Sequence, residues 1–568
     1  MADAALSDDP VLRARPWARP RFRVRYDALV RRAGEVTLAN LLDRLAEVYG
    51  TRPAIFWTAE VATPLLPGPV ISYQALRDTA ARLADVFAAL DVGPGDRVVV
   101  WAGARPDFHA AALGLMRLGA VPVPVHHMFT AGELSYVVGH SQAKAIVTDA
   151  ATLGSHPDAL AQVGGPAWLS LDPDPPPGVE SLVKLAADAD PRRPPRAPSS
   201  LDEPAVILYT SGTTGRPKGA VIAHRNYIRD IRRSLRRLGL RAGSDRAVGM
   251  HHVPPAPVAG FTGFILRLLA GMPFIYFPRF EPAAVVQAIE RYGVGVAGGV
   301  PAMLVKMLDA GLDARTARSI KVWVAGADAL RPDVARRLRG LGGFHLGPVR
   351  LPPVIMISYG QAECGVVIFE HLNIGRYRPN CIGKPKPGIE YRIVDGGGGD
   401  VTDGEVGELV IRGDQVTREY WRDPDATTES WRGGWFHTGD LVRRVKGRVY
   451  FVDRQKDLIK SGGYSIFAGE VEEALREHPA IEQVAVVGIP HAEKGQMPIA
   501  VVTLQPDVSV SDDELLAWAR TRIAAYKSPR AVVVVDEMPY TSSMKVRKRE
   551  LAERYAGVLG PAPDPSAG

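Results

Sequence analysis

Residues 209–219 read Tyr209-Thr210-Ser211-Gly212-Thr213-Thr214-Gly215-Arg216-Pro217-Lys218-Gly219, directly after the apolar run Ala205 to Leu208. The run predicts a buried strand, and the stretch that follows predicts a tight loop at its end. Glycines in such a loop let backbone N–H groups come close to a polyphosphate. The hydroxyls add hydrogen-bond donors, and Lys218 adds a positive charge. A loop built this way handles a nucleotide phosphate. The Gly-x-x-x-x-Gly-Lys-[Ser/Thr] spacing of kinases and GTPases is absent, so this is not a P-loop. For this string taken alone, a surface turn rich in Gly, Ser and Thr is the alternative.

The chain has 568 residues, too many for one hydrophobic core. About two to four folding units are expected. A hydrophobic fraction of 46% can fill them, and 23% charged residues with a mean hydropathy near zero fit a soluble globular protein. Only two cysteines occur, Cys364 and Cys381. They can build neither a disulfide framework nor a Cys/His metal cluster, which favours a reducing cytoplasm. The segment Met1 to Tyr26 lacks the apolar run of a signal peptide. The longest apolar region, Pro257 to Phe277, holds Arg267 in its middle and Pro273 near its end. It predicts a buried helix followed by a strand, not a membrane span. Net charge is +7, and the pairs Arg232-Arg233 and Arg236-Arg237 share one helix face. No aromatic residues interleave with that charge, so nucleic-acid binding is not expected. A solvated face that steers anionic small molecules fits better.

Apolar strands alternate with helical patterns through the first two thirds. Strands are expected at Arg97 to Trp101, Val121 to Val125 and Ala145 to Thr148, with helices around Phe108 to Leu118 and Ala131 to Gly139. This is the rhythm of a parallel α/β sheet. Ser170 to Pro204, rich in Pro, Asp and Ala, reads as a link. Strands resume at Val322 to Val324 and Val354 to Met356. Short strands between Tyr391 and Arg412 flank the turn Gly396 to Gly399, suggesting a β-rich subdomain. A boundary falls near Asp453-Arg454. Beyond it a small unit is expected, with helices at Glu470 to Glu477 and Asp512 to Ala524 and a strand at Gln483 to Val487.

Four further strings carry chemistry. Tyr359-Gly360-Gln361-Ala362-Glu363 follows a buried strand, where α/β folds present ligands. The tyrosine ring offers a stacking surface for a base, and the carboxylate of Glu363 is a hard oxygen ligand suited to Mg²⁺. In Gly434-Trp435-Phe436-His437-Thr438-Gly439-Asp440, the aspartate can accept two hydrogen bonds from a ribose diol. Asp453-Arg454-Gln455-Lys456-Asp457-Leu458-Ile459-Lys460-Ser461-Gly462-Gly463-Tyr464 sits at the expected boundary. Lys545 lies in Pro539-Tyr540-Thr541-Ser542-Ser543-Met544-Lys545-Val546, beside Arg547, Lys548 and Arg549.

In this order the strings resemble the adenylate-forming superfamily of acyl-CoA synthetases, luciferases and peptide-synthetase adenylation domains, closest to AMP-forming acyl-CoA ligases. The resemblance runs from about Thr37 to Ala556. It implies a large α/β N-terminal domain over 31–453, with parallel sheets, several subdomains and a β-rich part. A small mobile α+β C-terminal domain over 454–558 would follow, between end segments 1–30 and 559–568 that are partly or wholly disordered. It implies ATP, Mg²⁺ and CoA, and a carboxylic acid activated as its adenylate. By resemblance, Thr210, Ser211, Gly212, Thr213, Thr214, Gly215 and Lys218 hold phosphate. Gly326, Ala327, Tyr359, Gly360, Gln361 and Asp440 hold the nucleoside, with Tyr359 on adenine and Asp440 on ribose. Glu363 and Thr213 hold the metal. Arg454 reaches ribose or phosphate, Lys456 is the hinge, Lys460 and Gly462 are cofactor-binding, and Gly463 borders the path of the pantetheine arm. Lys545 bridges the carboxylate and the α-phosphate, where charge builds during transfer. Pro257, Gly260, Val300, Gly326 and Tyr359 line the acyl pocket.

The match has departures. Ala362 replaces the usual threonine, Met544 the usual glycine, Ile357 a polar contact to adenine, and Pro257 an aromatic or histidine gate. They bear on rate and acyl selectivity. The pocket segments, Val258 to Leu269 and Val296 to Met303, are apolar or small, and no arginine or lysine is obviously placed to pair a second carboxylate. That favours a medium- or long-chain fatty acid, then an aryl acid. Loading of a separate carrier protein, a weakened homologue acting as a sensor, and a luciferase-type oxygenase are the other readings.

Overall fold

The computed structural model describes residues 36–57, 62–196, 198, 200–210, 217–227, 248–256, 258–346, 348–365, 367–462, 464–540 and 546–559. The expectations for residues 1–30, for the arginine pairs at 232–237 and, Leu559 apart, for the tail 559–568 lie outside them. The chain divides into two compact units. The first takes Met1–Pro379, Gly383–Glu390 and Arg412–Phe436, and the second takes Asn380–Ile382, Tyr391–Ile411 and His437–Gly568.

The expected parallel rhythm organises the first unit. Val121–His126, Arg97–Ala102, Ala143–Thr148, Ala167–Ser170 and Glu180–Ser181 form one sheet in that order, every pair parallel. Val98 to Ala102 are buried at every position, as a parallel strand covered on both faces demands. The crossover helix Pro106–Leu118 opens on proline at its first turn and ends on Gly119 at φ +85°, the left-handed cap that glycine adopts without strain. Ala131–Ser141 starts from a capping box between Thr130 and Glu133. The expected link 170–204 is not only a loop. Glu180–Ser181 adds the last strand of the sheet, and Ser181 Oγ caps the helix Leu182–Ala187. So short a strand leaves no periodicity to read.

The same unit holds a second sheet of Gly249–His251, Phe274–Tyr276, Pro53–Trp57 and Val70–Ser72. The helix Val258–Ala270 precedes Phe274–Tyr276, so the apolar region is helix then strand, as expected. Pro204–Thr210 and Lys218–Ala223 form an antiparallel hairpin. In a third set, Val296–Gly299, Val322–Gly326 and Val354–Tyr359 run parallel, and Phe369–Asn373 returns antiparallel to the last. Trp323 is fully buried beneath these strands with Val334, Leu338 and Ile355.

The second unit is α+β. Ile389–Val394, Val406–Gly413, Trp435–Val445 and Arg448–Arg454 lie side by side as strands. Asp395 accepts the backbone N–H groups of Gly397 at 2.8 Å and Gly399 at 2.9 Å, which fixes the glycine-rich turn. A second sheet pairs Tyr464–Phe467, Leu458–Ser461, Gly495–Leu504 and Ile481–His491, with Val532–Val534 parallel to Gly495–Leu504. The helices Ala468–Arg476 and Asp512–Arg522 bury Val471, Leu475, Leu515 and Ala519 against Val486 and Val502. Among the described residues no helix is long and apolar enough to cross a membrane.

Close strand approach in the third set predicts one stability effect. A Cβ on Gly298 would lie 2.1 Å from the carbonyl oxygen of Val324, a backbone atom that cannot move alone. Gly298→Ala is expected to destabilise the protein by about 1–3 kcal/mol. A lowered urea midpoint with an unchanged slope checks this.

Candidate active site

In the first unit, three parallel strands end side by side. Gly299 is the register partner of Ala325, and Gly326 of Ser358. Their ends therefore bring Val300, the pair Gly326-Ala327 and the string from Tyr359 onto one edge, where α/β sheets take ligands. A Cβ on Gly326 would lie 2.7 Å from the carbonyl oxygen of Ser358. Ala327 follows at φ +69°, left-handed for a residue with a side chain. Such backbone strain concentrates at sites of function. The Tyr359 ring stands edge-on to Phe369 at 5.9 Å, and Gln361 Nε2 donates to the Tyr359 hydroxyl at 3.3 Å.

Glu363 falls in the short 3₁₀ turn Ala362–Cys364 and is buried. Its carboxylate accepts a hydrogen bond from Tyr420 Oη at 2.7 Å, and its carbonyl accepts from Thr417 N at 2.7 Å. Burial, then the Glu363 charge, pushes the Tyr420 phenol well above its ordinary range, so the donor stays protonated. Lys218 Nζ lies 5.4 Å from the centre of the same Tyr420 ring. Tyr420 thus joins the foot of the glycine-rich loop to Glu363. Sequence reasoning missed it, because a lone tyrosine between Glu419 and Trp421 carries no pattern. Thr210 and Lys218 are register partners at the foot of that loop. Ser211, Gly212, Thr213, Thr214, Gly215 and Pro257 lie outside the described residues. Gly260 sits against Pro254, whose carbonyl oxygen would be 1.8 Å from a Cβ there.

The second unit gathers another part of the set. Asp440 is buried and is the register partner of Arg454, whose Nε stands 3.4 Å from Asp440 Oδ1. Gly439, at φ +68°, gives its N–H to Glu408 at 3.1 Å, and the other oxygen of Glu408 meets His437 Nδ1 at 2.7 Å. Glu408 thus fixes the turn that presents Asp440, a role the sequence did not reveal. Lys456 lies in the 3₁₀ turn Gln455–Asp457. Burial lowers its affinity for a proton, while Asp457 and Asp440 work against that. Lys460 is apart from this group, donating to Ser465 Oγ at 2.7 Å. Gly462, at φ +54°, turns the hairpin between Leu458–Ser461 and Tyr464–Phe467. Gly463 and Lys545 lie outside the described residues.

Among the described residues no cluster of three or more His, Cys, Asp or Glu side chains could hold a metal by itself. A buried carboxylate such as Glu363 fits a Mg²⁺ that keeps most of its ligands from water and substrate phosphate.

The chain matches the family model described as AMP-binding enzyme over residues 42–421 and its C-terminal domain over 470–545. A feruloyl-CoA synthase of Amycolatopsis is 33% identical over 496 residues, covering 86% of this chain and 94% of its own. A long-chain fatty-acid CoA ligase of Mycobacterium tuberculosis is 29% identical, with 86% and 94% covered. ATP-bound MatB from Rhodopseudomonas palustris superposes with a TM-score of 0.79 at 27% identity, covering 92% of this chain and all of its own. The chain belongs to the AMP-binding enzyme family. It is an AMP-forming acid–CoA ligase, and enzymes of this kind use ATP, Mg²⁺ and CoA.

A half-buried ion pair in the second unit gives a pH-dependent prediction. Lys548 Nζ meets Glu472 Oε1 at 2.7 Å. Burial opposes the charge on Lys548, but Glu472, Asp457 and Asp453 outweigh it, and its affinity for a proton is raised. A raised lysine stabilises the fold fully below the ordinary lysine range and loses that contribution as pH rises through the folded-state value. Lys548→Met should cost about 1–2 kcal/mol at neutral pH, less than a fully buried pair would, because Glu472 keeps Arg476 at 3.6 Å and the Val486 N–H. Chemical denaturation should show the gap between variant and parent narrowing at strongly alkaline pH.

Proposed function

We propose that the chain activates a carboxylic acid and passes it to CoA through two half-reactions served by different residues. In the first, a carboxylate oxygen attacks the α-phosphorus of ATP. The bond to the bridging oxygen breaks, and pyrophosphate leaves with its electron pair. In the second, the CoA sulfur attacks the acyl carbon, the thiol proton is lost, and AMP leaves. Lys545 supplies the point charge that lets two anions meet in the first step. Tyr359 stacks on adenine, Asp440 and Arg454 hold ribose, and the loop 210–218 holds the phosphates. Glu363 and Thr213 would hold Mg²⁺, which neutralises phosphate charge when bound. Gly463 leaves room for the pantetheine arm. The small domain, taken as 454–558, turns about Lys456 between the steps.

The observation that carries this reading is the set of strand ends bearing Val300, Gly326-Ala327 and Tyr359 to Glu363, joined to the loop foot through Tyr420. The apolar segments 258–269 and 296–303 support a medium- or long-chain fatty acid. The feruloyl-CoA synthase relative supports an aryl acid as the second reading. CoA is favoured over a carrier protein because the feruloyl-CoA synthase and long-chain fatty-acid CoA ligase relatives are named for CoA. A cytoplasmic location rests on two buried free thiols. AMP release measured over short, medium, long and aromatic acids, with CoA and with a carrier protein as acceptor, tests the reading. No AMP with any acid would sink it.

Two variants should separate the half-reactions. Lys545→Ala is expected to lower adenylate formation by about two to three decades and to spare thioester formation from supplied acyl-adenylate. Gly463→Leu should do the reverse. Equal loss in both assays would count against either role.

Ala362 packs against the main core beside Glu363. If it marks a weakened site, Ala362→Thr restores a hydrogen bond to charged phosphate worth about 1.5–3 kcal/mol, and ATP use rises about tenfold or more. If Ala362 makes room for the acyl group, activity on the native acid falls instead.

A further inference from the structure

Arg267 is the single charged side chain on the helix Val258–Ala270. Gly260, Gly263 and Arg267 recur at three and four residues, so they share one face of that helix. Gly260 abuts Pro254, two residues beyond His252. Gly263 leaves space for the guanidinium: Arg267 Nη1 donates to the Gly263 carbonyl at 2.8 Å and would stand 2.8 Å from a Cβ at Gly263. Among the described residues Arg267 forms no ion pair, and burial alone pushes its pKa down to about 10.

Two histidines stand near it. His251 and His252 are almost wholly buried; neither ring nitrogen of His251 has a hydrogen-bond partner among the described residues, and His252 has only the approach of the Gly298 backbone. Burial, and then the Arg267 charge, keeps both imidazoles neutral at physiological pH. Each therefore carries one N–H, that of His252 within reach of the Gly298 carbonyl. His252 Nε2 lies 3.2 Å from the point where a Gly299 Cβ would be, and Met303 Sδ lies 3.1 Å from it. Gly299 ends the strand that leads into Val300, so His252 reaches the edge where the candidate site forms. Arg267 is half-buried, and a partly desolvated cation without an ion-pair partner, beside the unpartnered imidazole of His251, is costly unless something completes it. The cluster is rich in donors, and a guanidinium matches a carboxylate with two parallel hydrogen bonds.

We infer that Arg267, with His252 beside it, anchors a second carboxylate at the far end of the acyl group, so that the preferred acid is a dicarboxylic acid. This rests on the ligase reading above and replaces its monocarboxylic fatty acid with a dicarboxylic one, because the segment 258–269 carries Arg267. The apolar walls hold the hydrocarbon between the two carboxylates. Read from sequence, no arginine or lysine is obviously placed to do this; the proposal gives Arg267 that place because it shares the glycine face of the helix.

The test compares kcat/KM for AMP release across aliphatic dicarboxylates and monocarboxylates of matched length, with ferulate and benzoate alongside. The dicarboxylates should lead their matched monocarboxylates by about 10²-fold or more. Arg267→Gln should cut that ratio by at least about tenfold, and Arg267→Lys should restore part of it. Gly263→Ala keeps the charge and favours the helix, yet takes the space in which Nη1 sits. It should also lower the ratio, so the test does not depend on one variant folding. A purely structural role for Arg267 would lower both rates together and leave the ratio fixed. Equal turnover of both acid classes, or preference for a monocarboxylic or aryl acid unchanged in the variants, overturns the inference and leaves the ligase intact. No AMP from any acid overturns the ligase reading itself, and this inference with it.

Discussion

Backbone-to-backbone crowding among three parallel strands sets the geometry on which the rest of the first unit depends. Val296–Gly299, Val322–Gly326 and Val354–Tyr359 fit together because side chains are missing where they meet. Gly298 faces the Val324 carbonyl, and Gly326 faces the Ser358 carbonyl, each closer than any Cβ could tolerate. With the strands in that register, three loops begin at one edge. Ala327 is left in a left-handed conformation there, held by ladders on either side of its strand. The cost of such a residue is about 1–3 kcal/mol, which surrounding structure must offset. Pre-organisation of the proposed nucleotide edge is a reason for a fold to keep it.

Charge in the second unit sorts its lysines by environment. Lys548 and Lys456 both lie near Asp457. Lys548 gains the close pairing with Glu472 and is held as a cation. Lys456 gains less from acids than it loses to burial. The first behaves as a structural anchor, and the second holds its proton less tightly than a free lysine. The anchor also matters for the chain around it. Lys548 stands three residues beyond Lys545, so the segment carrying the proposed catalytic lysine is tied down at Glu472 shortly afterwards.

What could be read from sequence were features that live in the backbone or in short strings. Glycine-rich turns, a strand buried at every position such as Val98 to Ala102, and the Tyr359–Glu363 string announce themselves locally. The two-residue strand Glu180–Ser181 did not, because alternation cannot show over so few positions. Tyr420, Glu408 and Glu472 escaped for another reason. Each is a common residue type whose role is created by a partner 57, 29 or 14 residues away in the chain, as in Tyr420 to Glu363, Glu408 to His437 and Glu472 to Val486. No spacing rule marks such pairs before the fold brings them together.

Arg267 shows how one residue can be read correctly and incompletely at once. A charge in the middle of an apolar segment argues against a membrane span, and the helix Val258–Ala270 is indeed too short to be one. The same argument applied to a protein interior has a second half. A guanidinium partly withdrawn from water, as half-buried Arg267 is, must recover the lost hydration from fixed acceptors. Here the structure offers one backbone carbonyl, and the nearby imidazoles present no negative charge. The balance is unfinished within the described chain. A hydrocarbon substrate would leave it so, whereas an anion would complete it and gain specificity from the same contact, since an acid lacking that group would bury the cation uncompensated.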